Sequence, residues 1–72
     1  MDTLAVFRSR SEALKIFMQM KKNGIACATV STPSSLRMGC GISIVFPGVL
    51  KKTVTKIIKN GHVTSFVGFF DK

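Results

Sequence analysis

The sequence predicts an α+β fold, because short β-prone segments alternate with two amphipathic helical segments within 72 residues. Its composition supports a folded chain. Hydrophobic residues make up 46% of the sequence although the formal net charge is +8, whereas disordered segments combine high charge with low hydrophobicity. A chain of this length has room for one small core, so we predict a single domain over residues 1–72.

The first half of the chain predicts a strand, a helix and a strand. Residues 3–7 form a short apolar run, followed by Ser9 and Glu12 at the spacing of a capping box, in which the serine accepts a helix amide and the glutamate returns to the cap amide. A helix is predicted over residues 10–22, ending at Asn23-Gly24. Residues 25–32 are rich in alanine and β-branched side chains and predict the second strand, which ends before Pro33.

The second half predicts a strand, a helix and a strand again. The third strand is expected to start at Cys40 and to continue through the alternating residues 42–46. A helical stripe then ends at Asn60-Gly61 and consists of Leu50, Val54, Ile57 and Ile58. Residues 63–70 predict the last strand, with Gly68 at a bulge or at its end. The order β-α-β-β-α-β is that of the ferredoxin-like fold, a four-stranded antiparallel sheet with two helices on one face.

The most distinctive segment is the loop before the third strand, where Cys40 lies between Gly39 and Gly41. Glycines leave the sulfur accessible to another macromolecule, and the nearby positive charge of Arg37 favours the thiolate, which is the nucleophilic form of cysteine. Cys40 is therefore a candidate nucleophile. The alternative is that Cys40 fits a tight turn as a small hydrophobic residue.

Several features in order give the chain a resemblance to a known family. A strand and a serine-capped helix come first and are followed by Asn23-Gly24. Thr32-Pro33 comes next and, after a short loop, Cys40-Gly41. Only these last two pairs are specific to the family, because strands and capped helices are common. With these features the chain resembles, over nearly all of its length, the selenium/sulfur carrier-like family, a small domain of otherwise unknown function. It departs from the family at Ser34, where a basic residue is frequent.

The resemblance implies a carrier rather than an enzyme. Cys40 would hold sulfur or selenium as a persulfide or selenosulfide and pass it from a donor protein to an acceptor protein, with no metal or organic cofactor. Accessibility and charge at this thiol would come from the supporting loop residues, which are Pro33, Arg37, Gly39 and Gly41.

The remaining candidates for reactive side chains, Cys27 and His62, are not expected to take part in catalysis or metal binding. Cys27 is in phase with Ile25 and Thr29 and is expected to be a small buried residue, too far along the strand from Cys40 for a disulfide. His62 follows the second helix and is predicted to be a turn or surface residue. The two cysteines and this histidine have no recognisable zinc-ligand spacing, so no metal site is predicted.

The second helix carries a basic face, because Lys52, Lys56 and Lys59 recur at i, i+4 and i+7. This face could bind an acidic protein surface or RNA, and a merely solvated face is the simplest alternative. The phenylalanines at 66, 69 and 70 resemble the stacking residues of an RNA-binding strand only poorly. We predict instead that they pack in the core or close a homodimer through the uncovered sheet face.

The chain has no uncharged run that reaches the ~18 apolar residues of a membrane span, and no signal peptide is visible at its start. A cytoplasmic location is the expectation.

Overall fold

A computed structural model describes residues 2–31 and 41–71. Within them the strands are β1 (Asp2–Phe7), β2 (Ala28–Ser31), β3 (Ile42–Pro47) and β4 (Phe66–Asp71), and the helices are α1 (Arg10–Lys22) and α2 (Lys51–Asn60), the latter preceded by a 3-10 turn at Gly48–Leu50. The strands form one antiparallel sheet in the order β2-β3-β1-β4. The predicted ferredoxin-like α+β arrangement is confirmed. No helix among the described residues is long and apolar enough to span a membrane.

One face of the sheet packs against both helices. Alternate residues of β1 and β3, among them Phe7 and Phe46, form one buried cluster with Ile16 of α1 and Val54 of α2. They alternate because the pleat directs successive side chains to opposite faces. This shared core fixes the helices over the sheet.

The bounds of α1 agree with the prediction, because the N-terminal cap at Ser9 and the C-terminal stop at Gly24 are both formed. The Ser9 hydroxyl accepts the Glu12 amide at 3.3 Å. At the other end, Gly24 has a φ of +75°, and the amides of Gly24 and Ile25 donate to the carbonyls of Lys21 and Met20. This is the Schellman pattern, in which a left-handed residue lets the chain satisfy the last helix carbonyls.

Two strands are shorter at their start than predicted. β2 begins at Ala28, not Ile25, because the Ile25 amide is bonded to the end of α1 and not to a neighbouring strand. β4 begins at Phe66, since the preceding residues form a turn and a loop. Its register with β1 shifts between Val6 and Phe7, so the predicted irregularity lies next to Gly68, the partner of Val6. The predicted start of β3 at Cys40 lies outside the described residues, and Ile42 is its first described strand residue.

The end of α2 differs from the sequence expectation. Gly61 has a φ of −80° and is not left-handed; the left-handed residue is His62, with a φ of 53°. Glycine is needed at 61 for space, because a Cβ there would lie 2.9 Å from Cδ1 of Ile16. Close approach of the chain to α1, and not the backbone conformation, therefore accounts for this glycine.

Candidate functional site

Three strands and the first helix meet at one edge of the sheet. β1 ends at Phe7, which pairs with Ile42 at the start of β3, and Ile42 in turn pairs with Ser31 at the end of β2. Two residues separate β1 from α1, and the second of them, Ser9, caps the helix. We call this the Gly41 edge, because Gly41 directly precedes β3 there.

A cleft of about 190 Å³ opens at the Gly41 edge. It is bounded by the end of β2, by Gly41 and Ile42, and by Arg10 in the first turn of α1. The unpaired amides of a helix N-terminus and a guanidinium both favour negative charge nearby. The cleft is therefore a place where an anionic group would be stabilised.

Arg10 is a site residue that its position on the predicted helix did not single out. Arg37 is close to the cysteine in the sequence, whereas Arg10 is 31 positions away from Gly41 in the chain. The signal that could have found it is topological. In the β-α-β-β order, the first helix begins at the edge where the second strand ends and the third begins.

Of the predicted loop residues, only Gly41 can be located. It is half-buried and lines the cleft. The other four, which are Cys40, Pro33, Arg37 and Gly39, lie outside the described residues. The predicted basic face is exposed on α2, where Lys52, Lys56 and Lys59 are all accessible to solvent.

Cys27 occupies a different environment from the Gly41 edge. It is half-buried, packs against the core, and lines a shallow cleft with Asp2 and Pro47, at the edge where β1 begins and β3 ends. Burial raises the pKa of the Cys27 thiol, and the positive charge of Lys21 offsets this only partly. The thiolate is therefore disfavoured at Cys27. The residue lies just before β2 and is half-buried, whereas a buried position within the strand was predicted.

Glu12 holds the loop before β4 against α1. Its carboxylate accepts the Ser65 amide at 2.9 Å and the Thr64 amide at 3.4 Å, so it does not serve the reciprocal half of the expected capping box. The Ser65 hydroxyl, the two amides and the charge of Lys15 lower the pKa of Glu12. The Ser65 hydroxyl oxygen is buried without a hydrogen bond of good geometry, so the amides are the firmer contacts.

Two of the three phenylalanines of β4 pack against the core. Phe66 and Phe69 lie against the core, with ring centroids 5.0 Å apart, and Phe66 is 5.3 Å from Phe7. The core-packing prediction is confirmed for these two rings. Phe70 alternates to the opposite face of the sheet.

The described residues contain no group of three His, Cys, Asp or Glu side chains that could hold a metal ion. His62 is exposed in the turn after α2, as predicted.

Comparison with known proteins identifies the family of this chain. The family model described as "Putative Se/S carrier protein-like" matches residues 2–65. The chain belongs to this family. No curated protein matches it.

The match to the carrier family begins with β1 and continues through the loop that Glu12 holds, ending just before β4. It includes Cys40 and the whole segment between β2 and β3. Family membership thus covers both the candidate nucleophile and the helix whose first turn borders the cleft.

Proposed function

We propose that the protein carries sulfur or selenium on Cys40 and transfers it between a donor and an acceptor protein. The observation that carries the proposal is the environment of Gly41. This residue is covalently bonded to Cys40 and lines an open cleft bordered by Arg10 and the first turn of α1. A persulfide or selenosulfide is an anion, so a cation and a helix N-terminus nearby favour it.

The transfer needs no cofactor, because each step exchanges one bond to sulfur for another. The Cys40 thiolate attacks the terminal sulfur of a donor persulfide, a bond forms between these two sulfurs, and the bond within the donor persulfide breaks. The electron pair of the broken bond leaves with the donor, which becomes a thiolate, while Cys40 becomes the persulfide. Attack by an acceptor thiolate on the terminal sulfur repeats the exchange and restores Cys40. Selenium follows the same steps from a donor selenosulfide.

The other cysteine supports the assignment by contrast. The chain has two cysteines, and burial raises the pKa of Cys27. A thiol that ionises less readily is the poorer nucleophile at neutral pH, because the thiolate is the reactive species. Cys40 is then the better acceptor of the two.

The positive charge of the protein fits an acidic partner. Lys52, Lys56 and Lys59 are exposed on α2, and the net charge of +8 acts at longer range. Such a field accelerates the encounter with an acidic protein surface, and salt screens it.

The test is mass spectrometry of the intact protein after incubation with inorganic polysulfide, and separately with a cysteine desulfurase and cysteine. We expect an adduct of one sulfur atom on Cys40 that dithiothreitol removes. Cys27→Ser should keep the adduct and Cys40→Ser should lose it. An adduct that persists in Cys40→Ser, or no adduct on the wild type with either donor, would disprove the proposal.

A further inference from the structure

We propose that the outer face of α1 is the docking surface for the sulfur donor, and that the donor presents an acidic surface with an apolar centre. The α1 face consists of Arg10, Leu14, Met18, Lys21 and Lys22. This inference rests on the proposed function, because it assigns the surface through which Cys40 would be loaded.

The centre of the α1 face is apolar and exposed. Leu14 and Met18 are one helical turn apart, and their side chains are 42% and 61% exposed. They lie opposite the buried side of the helix, which consists of Ala13, Ile16 and Met20. Single exposed apolar residues are ordinary. Two adjacent ones flanked by cations form a contact surface that residues 2–31 and 41–71 do not cover.

The rim of the α1 face is basic. Arg10 precedes Leu14 by one turn, and Lys21 and Lys22 follow Met18 in the last turn. The one acid of α1, Glu12, directs its carboxylate to the amides of Thr64 and Ser65 instead. The rim is therefore complementary to carboxylates on a partner, and the centre is complementary to apolar side chains.

The α1 face is continuous with the cleft at the Gly41 edge. Arg10 belongs to both, because it lines the cleft together with Gly41. The 13 residues of α1 extend about 20 Å at the usual rise of an α-helix. A partner seated along this length would have its end at the residue to which Cys40 is bonded.

A protein fits this surface better than a nucleic acid. Bases stack on aromatic rings, whereas the centre of the α1 face is aliphatic and two phenylalanines of β4, Phe66 and Phe69, are packed against the core. A small contact of few apolar residues inside a charged rim is also typical of transient complexes, which a carrier must leave after each transfer.

The experiment compares two ways of loading the full chain. In one, a pyridoxal-phosphate-dependent cysteine desulfurase with cysteine supplies the sulfur; in the other, inorganic polysulfide supplies it without a docking partner. The test variant is Leu14→Glu with Met18→Glu. The matched control is Val49→Glu with Thr53→Glu, which adds the same charge at exposed positions outside α1 and beside the basic face of α2, so it separates the α1 face from that basic face; Val49 is 90% exposed. The loading rate is followed by mass spectrometry.

We expect the test variant to load from the desulfurase about tenfold more slowly than the wild type, a loss equivalent to about 1.4 kcal/mol, because the contacts that matter most for binding cluster at the centre of an interface. The control should keep at least half of the wild-type rate, and polysulfide should load all three proteins equally. Higher salt should slow only the desulfurase reaction. If the glutamate pair lowers the melting temperature, Leu14→Ser with Met18→Ser replaces it under the same expectations.

Results that differ from these expectations would reject either the α1 face as the docking surface or the proposed function itself. Equal desulfurase rates for test variant and wild type, an equal drop in the control, or a wild-type rate no faster than with polysulfide would reject the α1 face. Salt-sensitive binding of polyuridylate that the test variant loses would also reject it in favour of RNA. Failure of both polysulfide and the desulfurase to modify Cys40 would instead reject the proposed function.

Discussion

A close contact between the two helical regions lies at Gly61, and replacing this residue with alanine tests why glycine is there. The φ of −80° accepts alanine, which by itself would stabilise the chain by about 0.4–1 kcal/mol through the unfolded state. The new Cβ would however lie 2.9 Å from Cδ1 of Ile16, well inside the ~3.5–4.0 Å optimum for carbon atoms. Overpacking of a buried site costs about 1–3 kcal/mol.

We therefore expect Gly61→Ala to lower the free energy of unfolding by roughly 0.5–2 kcal/mol, the difference between these two effects. Ile16 is fully buried, so Ile16→Val alone should cost about 0.5–1.5 kcal/mol. Valine lacks Cδ1, so the double variant should be more stable than the sum of the two losses, by about 1 kcal/mol of coupling. In thermal melts of a domain this size, each kcal/mol shifts the midpoint by about 4–8 °C.

A control separates space from backbone conformation. Gly24 has a φ of +75°, and no atom lies within 4 Å of the position that a Cβ would take there, so Gly24→Ala should cost about 1–2 kcal/mol for the left-handed backbone alone. Its effect should add to that of Ile16→Val. If Gly61→Ala stabilises the protein, or if its effect and that of Ile16→Val add within about 0.5 kcal/mol, the steric account of Gly61 is wrong.

Three more predictions concern the cap, the loop contact and the second thiol. Ser9→Ala should lower stability by about 1 kcal/mol, with Ser9→Asp close to wild type in denaturant unfolding, because only alanine removes the acceptor for the first helix amides; equal losses would contradict the capping role. The lowered pKa of Glu12 predicts a stabilising contribution that is present above the ordinary pKa of 4.5 and lost as the pH falls through the lower folded value. Melts of Glu12→Gln and wild type should therefore differ above this range and converge in acid, and a constant difference would refute the charge effect. Because its pKa is raised, Cys27 in the Cys40→Ser protein should react with iodoacetamide at neutral pH more slowly than Cys40 does in Cys27→Ser, and the reverse order would contradict both assignments.

The sequence was sufficient for features whose causes are local. The cap at Ser9 and the left-handed stop at Gly24 define α1 because both act within one helical turn of the residues that they bond. The apolar run of β1 and the alternation of β3 were likewise enough to predict two strands of the sheet. Each of these features depends on residues close together in the chain.

The sequence was insufficient where the cause is distant. Asn-Gly occurs at the end of both helices, yet of the two glycines only Gly24 has a left-handed backbone. At Gly61 the space for a side chain is limited by Ile16 on the other helix. The Glu12 carboxylate matched a capping box by spacing, but its donors lie 52 and 53 residues away. Arg10 joins Gly41 only through the strand order. None of these partners can be found from spacing along the chain.

The placement of the second thiol bears on whether a persulfide could persist. A nearby cysteine would attack the persulfide, form a disulfide and release the sulfur before an acceptor could take it. Ala28 and Ser31, the two ends of β2, are three residues apart, which is about 10 Å along an extended strand. Cys27 precedes Ala28, and Gly41 lies at the Ser31 end. Since Cys40 is bonded to Gly41, we expect it at the opposite end of β2 from Cys27, outside the ~7 Å Cα separation that a disulfide allows. We therefore expect a persulfide on Cys40 to be discharged by an external thiol and not by Cys27, as carriage between two proteins requires.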